Sequence, residues 1–212
     1  MVTYQKIETP FNRAMDGTKK LIEGDWRDSA VAYISLLPWR WTEKIDGTNT
    51  RIYWDGHKVV YGGRTESAQL PAPLVNKLNE IFGTYEAEEM FEQKFGETEV
   101  MLFGEGYGGK IQKVGPLYGE VDFRLFDVYL PQTDLYLRWD DVHDVANTFG
   151  IKTAPLVRIG TLNEAIDFVK TKPKSLISYN APMEGVVCKP LCELRDRQNK
   201  RLVVKVKVKD FV

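Results

Sequence analysis

A chain of 212 residues, 43% hydrophobic and 12% aromatic, is long enough to bury a substantial core and suits one large domain better than two small ones. Its formal net charge of −1 argues against a generally basic protein that coats nucleic acid. No apolar run approaches the ~18 residues of a membrane span, the first residues lack the order of a secretory signal, and Cys188, Cys192, His57 and His143 make neither a disulfide framework nor a zinc set. The expectation is a soluble cytoplasmic protein, not bound to membrane, with both thiols reduced and structural.

In chain order, β-prone runs fall at 41–45, 51–54 and 59–61. Leu74, Leu78, Ile81 and Phe82 then share one helical face, and residues 85–94 read as a second helix. Strands follow at 100–103 and 123–130, and a helix over 139–149 is stopped by Gly150. Thr161-Leu162-Asn163-Glu164 is a capping box that opens a helix to about Lys170, ended by Lys172-Pro173. The last strands are 185–188 and 202–208. Strands interrupted by surface helices, without regular βαβ alternation and without repeats, predict an α+β domain over 1–212 with twisted, largely antiparallel sheets.

Charge is uneven along this frame. Glu86, Glu88, Glu89, Glu92, Glu97 and Glu99 face only Lys94, which reads as a solvated helix face. From Pro190 onward Arg195, Arg197, Lys200, Arg201, Lys205, Lys207 and Lys209 outnumber Glu193, Asp196 and Asp210, and this surplus calls for a reason.

The chemistry centres on Lys44-Ile45-Asp46-Gly47-Thr48-Asn49. The segment has two readings. Asp-Gly between β-prone segments signals a hairpin, whereas a lysine two residues before an acid and a tight turn can serve as a nitrogen nucleophile. A lysine attacks phosphorus only as the neutral amine, which at a reference pKa of ~10.4 is about one molecule in a thousand near pH 7. Desolvation, neighbouring cations or a metal ion must therefore favour the neutral form. Further segments carry polar groups suited to a nucleotide: Arg64 after Tyr61-Gly62-Gly63; Glu105 in Phe103-Gly104-Glu105-Gly106; Phe126-Asp127; Glu184 at the head of Gly185-Val186-Val187-Cys188-Lys189; and Lys205 and Lys207 before Phe211. Lys205 and Lys207 share strand parity, so they point from one face and could hold a phosphate, although lysines also protect exposed strand edges. Gly104, Gly106 and Gly109 match a dinucleotide-binding pattern, but Lys110 to Pro116 does not continue as a helix, so the glycines more plausibly let backbone approach a ligand. Lys110 and Lys113 read equally as phosphate contacts or solvated lysines.

In this order and spacing, from about Trp41 to Phe211, the segments resemble the motifs of the covalent nucleotidyltransferases, the superfamily of polynucleotide ligases and capping enzymes, and most of all the ATP-dependent phage-type RNA ligases that seal nicks. The resemblance implies the nucleotidyltransferase fold and a three-step reaction: Lys44 takes AMP from ATP, the adenylate moves to an RNA 5′-phosphate, and a 3′-hydroxyl displaces AMP at a nick or bridged end. It implies Lys205 and Lys207 at the α-phosphate, Phe126 stacked on adenine, Arg64 at the ribose or RNA phosphates, Asn49 in the joining state and Glu43 at the adenine edge. Glu105 and Glu184, with Asp46, would serve the ribose and a Mg²⁺ or Mn²⁺ ion that keeps most of its waters. Such enzymes are often encoded by phages or viruses and act in the host cytoplasm.

The sequence stops soon after Lys207, without the OB domain of DNA ligases and capping enzymes, which favours an RNA ligase, and without the helical C-terminal domain usual in nick-sealing RNA ligases; the chain is either a minimal ligase, with a helper domain or protein in that domain's place, or a piece of a longer one. Asn49 stands where a capping enzyme more often carries arginine. A minimal DNA ligase and a silent nucleic-acid-binding domain are the remaining alternatives; binding alone would not require Lys44, Glu105, Glu184, Lys205 and Lys207 together.

Overall fold

A computed structural model describes residues 2–211. Strands β1 (Phe11–Arg13) and β2 (Leu21–Trp26), helix α1 (Ser29–Ile34) and strand β3 (Trp39–Glu43) precede the Lys44 segment. Then come β4 (Thr48–Trp54), β5 (Val59–Gly62), α2 (Ala72–Phe82), α3 (Tyr85–Phe95), β6 (Val100–Tyr107), α4 (Gly115–Tyr118), β7 (Asp122–Leu130), β8 (Leu135–Tyr136), α5 (Trp139–Thr148) and β9 (Lys152–Thr153). The chain closes with β10 (Leu156–Gly160), α6 (Leu162–Lys170), β11 (Gly185–Pro190) and β12 (Val204–Lys207). Cα packing divides it into two units: the residues through Gln5 with Asp46–Ala154, and Lys6–Ile45 with everything from Pro155 onward. Among the described residues no helix is long and apolar enough to cross a membrane.

The unit that begins its main run at Asp46 is built on a six-stranded sheet in the order β5-β4-β6-β7-β8, antiparallel throughout, with β9 added parallel to β7. Alternation decides its faces. Ile52, Trp54, Val100, Leu102, Leu125 and Val128 pack against Leu74, Leu78 and Phe82 of α2, Phe91 of α3 and Val142 and Val145 of α5. Gly104 and Gly106 also face this core: a Cβ at Gly104 would lie 2.2 Å from the Phe123 ring, and one at Gly106 would lie 2.3 Å from Leu74 Cδ2. Gly104 thus leaves room for the Phe123 ring of β7 and Gly106 for Leu74 of α2. No long helix follows them, since α4 is a single turn. The acidic residues of α3 do lie on an exposed face, with Glu86 and Glu88 in its first turn, where the helix dipole favours them.

In the second unit a four-stranded antiparallel sheet, β10-β3-β11-β12, packs Trp39, Trp41, Val186, Cys188, Val204 and Val206 against Leu162, Ala165, Ile166 and Val169 of α6. The capping box of α6 forms as expected: Thr161 Oγ1 accepts the Glu164 N–H and Glu164 Oε2 accepts that of Thr161. A β1–β2 ribbon belongs to the same unit. Burial pushes the Cys188 thiol pKa up, whereas Cys192 is exposed; both are free.

The hairpin suggested by Asp46-Gly47 does not form. β3 pairs with β10 and β11, β4 pairs with β5 and β6, and the chain passes from one unit to the other between Ile45 and Asp46. Gly47 is needed for a different reason, because a Cβ there would sit 2.3 Å from the carbonyl oxygen of Gly106.

Phe91 stacks on Trp54 (centroids 5.3 Å, planes 11° apart) and lies 4.3 Å from Phe149. Phe91→Ala is expected to cost about 3–5 kcal/mol by opening a cavity that its neighbours fill only partly, measured as a lower urea midpoint at unchanged slope.

Candidate active site

Three strand ends meet in the second unit. Lys44 leaves β3 with its N–H donating to the Gly185 carbonyl (2.9 Å), and the Val208 N–H donates to the Glu184 carbonyl (2.9 Å). These backbone ties bring three side chains together: Lys44 Nζ lies 2.5 Å from Glu184 Oε2, and Lys207 Nζ lies 3.3 Å from Glu184 Oε1. One carboxylate is thus shared between two ammonium groups, all three side chains being a quarter exposed or less. Gly185 sits directly across from Lys207 at φ +156°, where a Cβ would fall 2.1 Å from the Val206 carbonyl oxygen, so a side chain there would push β12 away.

Register extends the cationic face. Directly opposed residues in antiparallel strands share a face, so Thr42, Val187 and Lys205 form one row and Arg40 and Lys189 the next, on the same side as Gly185 and Lys207. Lys205 and Lys207 therefore do project from one face, with Val204 and Val206 buried on the other. Glu43 goes the other way. It is opposed to Val186, 2% exposed, and its Oε2 accepts the Leu176 N–H (2.7 Å), which ties the 171–178 loop to β3. Lys209, which parity alone could have grouped with the pair, lies in a 3₁₀ turn beyond the strand.

The remaining candidates lie in the other unit. Asn49 is directly opposite Glu105, and Glu105 is opposite Arg124, making one row across β4, β6 and β7. Asn49 Oδ1 is buried with no hydrogen-bond partner among the described residues, an acceptor that calls for a donor. Asp46 precedes Gly47, and its N–H meets the Tyr118 hydroxyl at 3.5 Å. A register shift beside Phe103 marks a bulge in β7 at Phe126, which lets both Phe126 and Asp127 reach Tyr4. The Tyr4 ring meets the half-exposed Phe126 edge-on (5.1 Å) and packs on Phe103 (4.9 Å), while its hydroxyl donates to Asp127 Oδ2 (2.5 Å). Arg64 is exposed in the loop after β5.

Tyr4, Arg51 and Arg124 were missed in the sequence. Arg51 is fully buried; its guanidinium donates to the carbonyls of Gly63 (2.6 Å) and Val2 (3.1 Å) and to Glu66 Oε1 (2.9 Å), so one side chain pins both the Arg64 loop and the N-terminal segment that carries Tyr4. An arginine at the same strand parity as Asn49 was the available signal. Arg124 donates to the Tyr107 hydroxyl and the Thr153 carbonyl; burial raises the Tyr107 pKa, while Arg124 opposes the shift. Among the described residues no three His, Cys, Asp or Glu side chains gather as a metal cage.

The sequence profile of the RNA ligase family matches residues 37–207, and the chain belongs to that family. No curated protein sequence matches it. Among solved structures, a lysine-to-alanine variant of Naegleria gruberi RNA ligase with ATP and Mn superposes at a TM-score of 0.65 and 20% identity, covering 86% of this chain and 54% of that one. An arginine-to-alanine variant of the same ligase with ATP and Mn gives 0.68 and 19%, over 97% and 56%. The ligase with pyrophosphate gives 0.63 and 20%, over 96% and 61%. At these identities the likeness is one of fold, a mixed α/β architecture of antiparallel sheets, and the chain spans a little over half the length of the solved ligases it matches.

The Arg51 bond holds the Glu66 carboxyl below its ordinary 4.5. A depressed carboxylate contributes stability above its unfolded value and loses it as pH falls through the folded one. A ¹³C titration should place the Glu66 midpoint under 4.5, and Arg51→Met should return it to the ordinary range; an unmoved midpoint would mean that the pair does not persist in solution.

Proposed function

We propose that the chain is the adenylyltransferase part of an ATP-dependent RNA ligase, with residues 1–212 acting as one catalytic module. The observation that carries this reading is the Glu184 carboxylate held between Lys44 and Lys207, in a chain of the RNA ligase family. In the first step the Lys44 Nζ lone pair forms a bond to the α-phosphorus of ATP, the bond from that phosphorus to the bridging oxygen breaks, and pyrophosphate leaves. An ammonium has no lone pair to offer, so a proton must depart first. Glu184 Oε2, 2.5 Å away, is the acceptor in place. Lys207, on the other carboxylate oxygen, and Lys205, one row back on the same face, supply positive charge for the phosphoryl oxygens.

The lysyl-adenylate then gives AMP to an RNA 5′-phosphate, and an RNA 3′-hydroxyl displaces AMP to close the phosphodiester at a nick or bridged end. Glu105, in register with Asn49, takes the ribose; Asn49 Oδ1 receives a donor hydroxyl from ribose or RNA. Phe126 offers its face to adenine while Tyr4 braces its edge. Arg64 reaches the ribose or RNA phosphate from a loop that Arg51 fixes. Glu43 acts at the adenine edge through the loop it ties to β3. The donors present are carboxylate oxygens not assembled into a cage, a set that fits Mg²⁺ or Mn²⁺ held mostly by water and phosphate. With Glu184 taking the Lys44 proton, Glu105 and Asp46 are left to hold the ion, which would supply charge at the transferring phosphoryl group. The setting is the cytoplasm, with a helper domain or protein completing RNA engagement.

Incubation with α-labelled ATP and Mg²⁺, followed by denaturing electrophoresis, tests the reading. Acid-labile label is expected on the parent chain and none on Lys44→Ala; Glu184→Gln should lose at least 10²-fold in rate, the usual scale for a positioned proton acceptor. Label from GTP alone would move the assignment to capping, and none from any nucleotide would leave a nucleic-acid-binding domain. Sealing of nicked RNA in preference to DNA would separate the two kinds of ligase.

A further inference from the structure

The surplus of basic residues beyond Pro190 is only partly used by Lys205 and Lys207. The rest is organised by a short antiparallel turn. Arg195 bridges to Arg201, the Leu202 N–H donates to the Leu194 carbonyl (2.9 Å), and the Asp196 N–H donates to that of Lys200 (2.8 Å). Asn199 adopts φ +62°, a left-handed conformation that asparagine tolerates, and its Oδ1 accepts from Arg195 Nη1 (3.2 Å). The base is anchored: Leu194 and Leu202 pack into the hydrophobic cluster of the second unit, and buried Arg201 is gripped by both oxygens of Glu193.

The acids of this segment are turned to internal use. Glu193 is occupied by Arg201, and Asp196 Oδ1 accepts the N–H groups of Gln198 (2.8 Å) and Lys200 (2.9 Å). Arg197 and Lys200 are left exposed at the tip, with Arg195 half-exposed beneath them. Beside the tip, Lys6 bonds Glu8 (3.2 Å) and Arg27 lies 3.6 Å from it. Burial works to raise the Glu8 pKa, but Lys6, Arg27 and Lys200 together hold it below its ordinary value, so cations outweigh the acid here as well.

We infer that the 193–202 hairpin is a docking element for the phosphate backbone of duplex RNA, presenting Arg195, Arg197 and Lys200 to one strand a short way from the joining site. This assignment rests on the ligase reading above. The hairpin runs directly into β12, so Lys200 is seven residues from Lys207, a span of at most about 25 Å. That is shorter than the about 16 base pairs of duplex RNA that a single RNA-binding domain can span, so strand ends joined at Lys44 belong to the same stretch of helix that the hairpin touches. Backbone contact asks for charge and a fixed shape, not base-reading side chains. A turn already locked by Asp196 and Asn199 loses little conformational freedom on binding.

The test uses the full chain carrying Arg195→Ala, Arg197→Ala and Lys200→Ala together, compared with the parent for anisotropy binding of a nicked RNA duplex between 50 and 200 mM salt and for label transfer from ATP alone. The expected result is at least ten-fold weaker binding at the lower salt, a log–log salt slope shallower by about two to three, and unchanged lysyl-adenylate formation. Arg195→Lys with Arg197→Lys should retain parent binding. Equal affinity and slope in the triple variant overturn the assignment, as does loss of adenylate formation in a folded triple variant, which would place the hairpin in nucleotide handling. A parent that takes no label from ATP but binds RNA through these three residues would sink the ligase reading and uphold the hairpin.

Discussion

A single carboxylate between two ammonium groups is the constraint around which one face of the four-stranded sheet is built. Glu184 can meet Lys44 and Lys207 only because three strand ends are brought level by backbone bonds, with Gly185 leaving room for β12 to approach. Opposite charges this close and this little exposed hold each other's side chains in place more firmly than a surface pair does. In the proposed reaction the carboxylate that holds the lysine in position is also the acceptor of its proton.

The other unit follows a complementary logic. Its sheet gives one face to an aromatic and aliphatic core and the other to polar side chains that carry the Asn49–Glu105–Arg124 row. Buried Arg51 sits two residues along from Asn49 and fastens the loop at Gly63 and the segment at Val2, the second of which carries Tyr4 onto Phe126 and Asp127. The side chains that face a nucleotide in the proposed reaction therefore depend on a second set that never would.

What could be read from the sequence was what is local. The α6 capping box lies within four residues, and the strands of both cores announce themselves as apolar runs. β2 went unseen because Glu23-Gly24-Asp25 interrupts it and its residues are mostly exposed, and β10 because a five-residue, half-exposed strand has little alternation to detect. Asp-Gly was a misleading signal because the same dipeptide that closes hairpins here marks a passage between two sheets. Strand parity correctly grouped Lys205 with Lys207, but it could not show that Glu43 turns toward the core while its neighbour Lys44 reaches the other side. Tyr4 and Asp127, 123 positions apart, share no local pattern at all.

The crossing of the chain between units has a consequence for its birth on the ribosome. β3 is made early, yet its partners β10 and β11 come late; Thr42 and Val187, which touch across the sheet, are 145 positions apart. At roughly 5–20 residues per second, β3 waits on the order of ten seconds for its neighbours to emerge. During that interval Trp39 and Trp41 have no sheet to enter, while the intervening unit, contiguous but for its first few residues, can already close around its own core. Lys44, at the end of β3, is therefore made early and seated late.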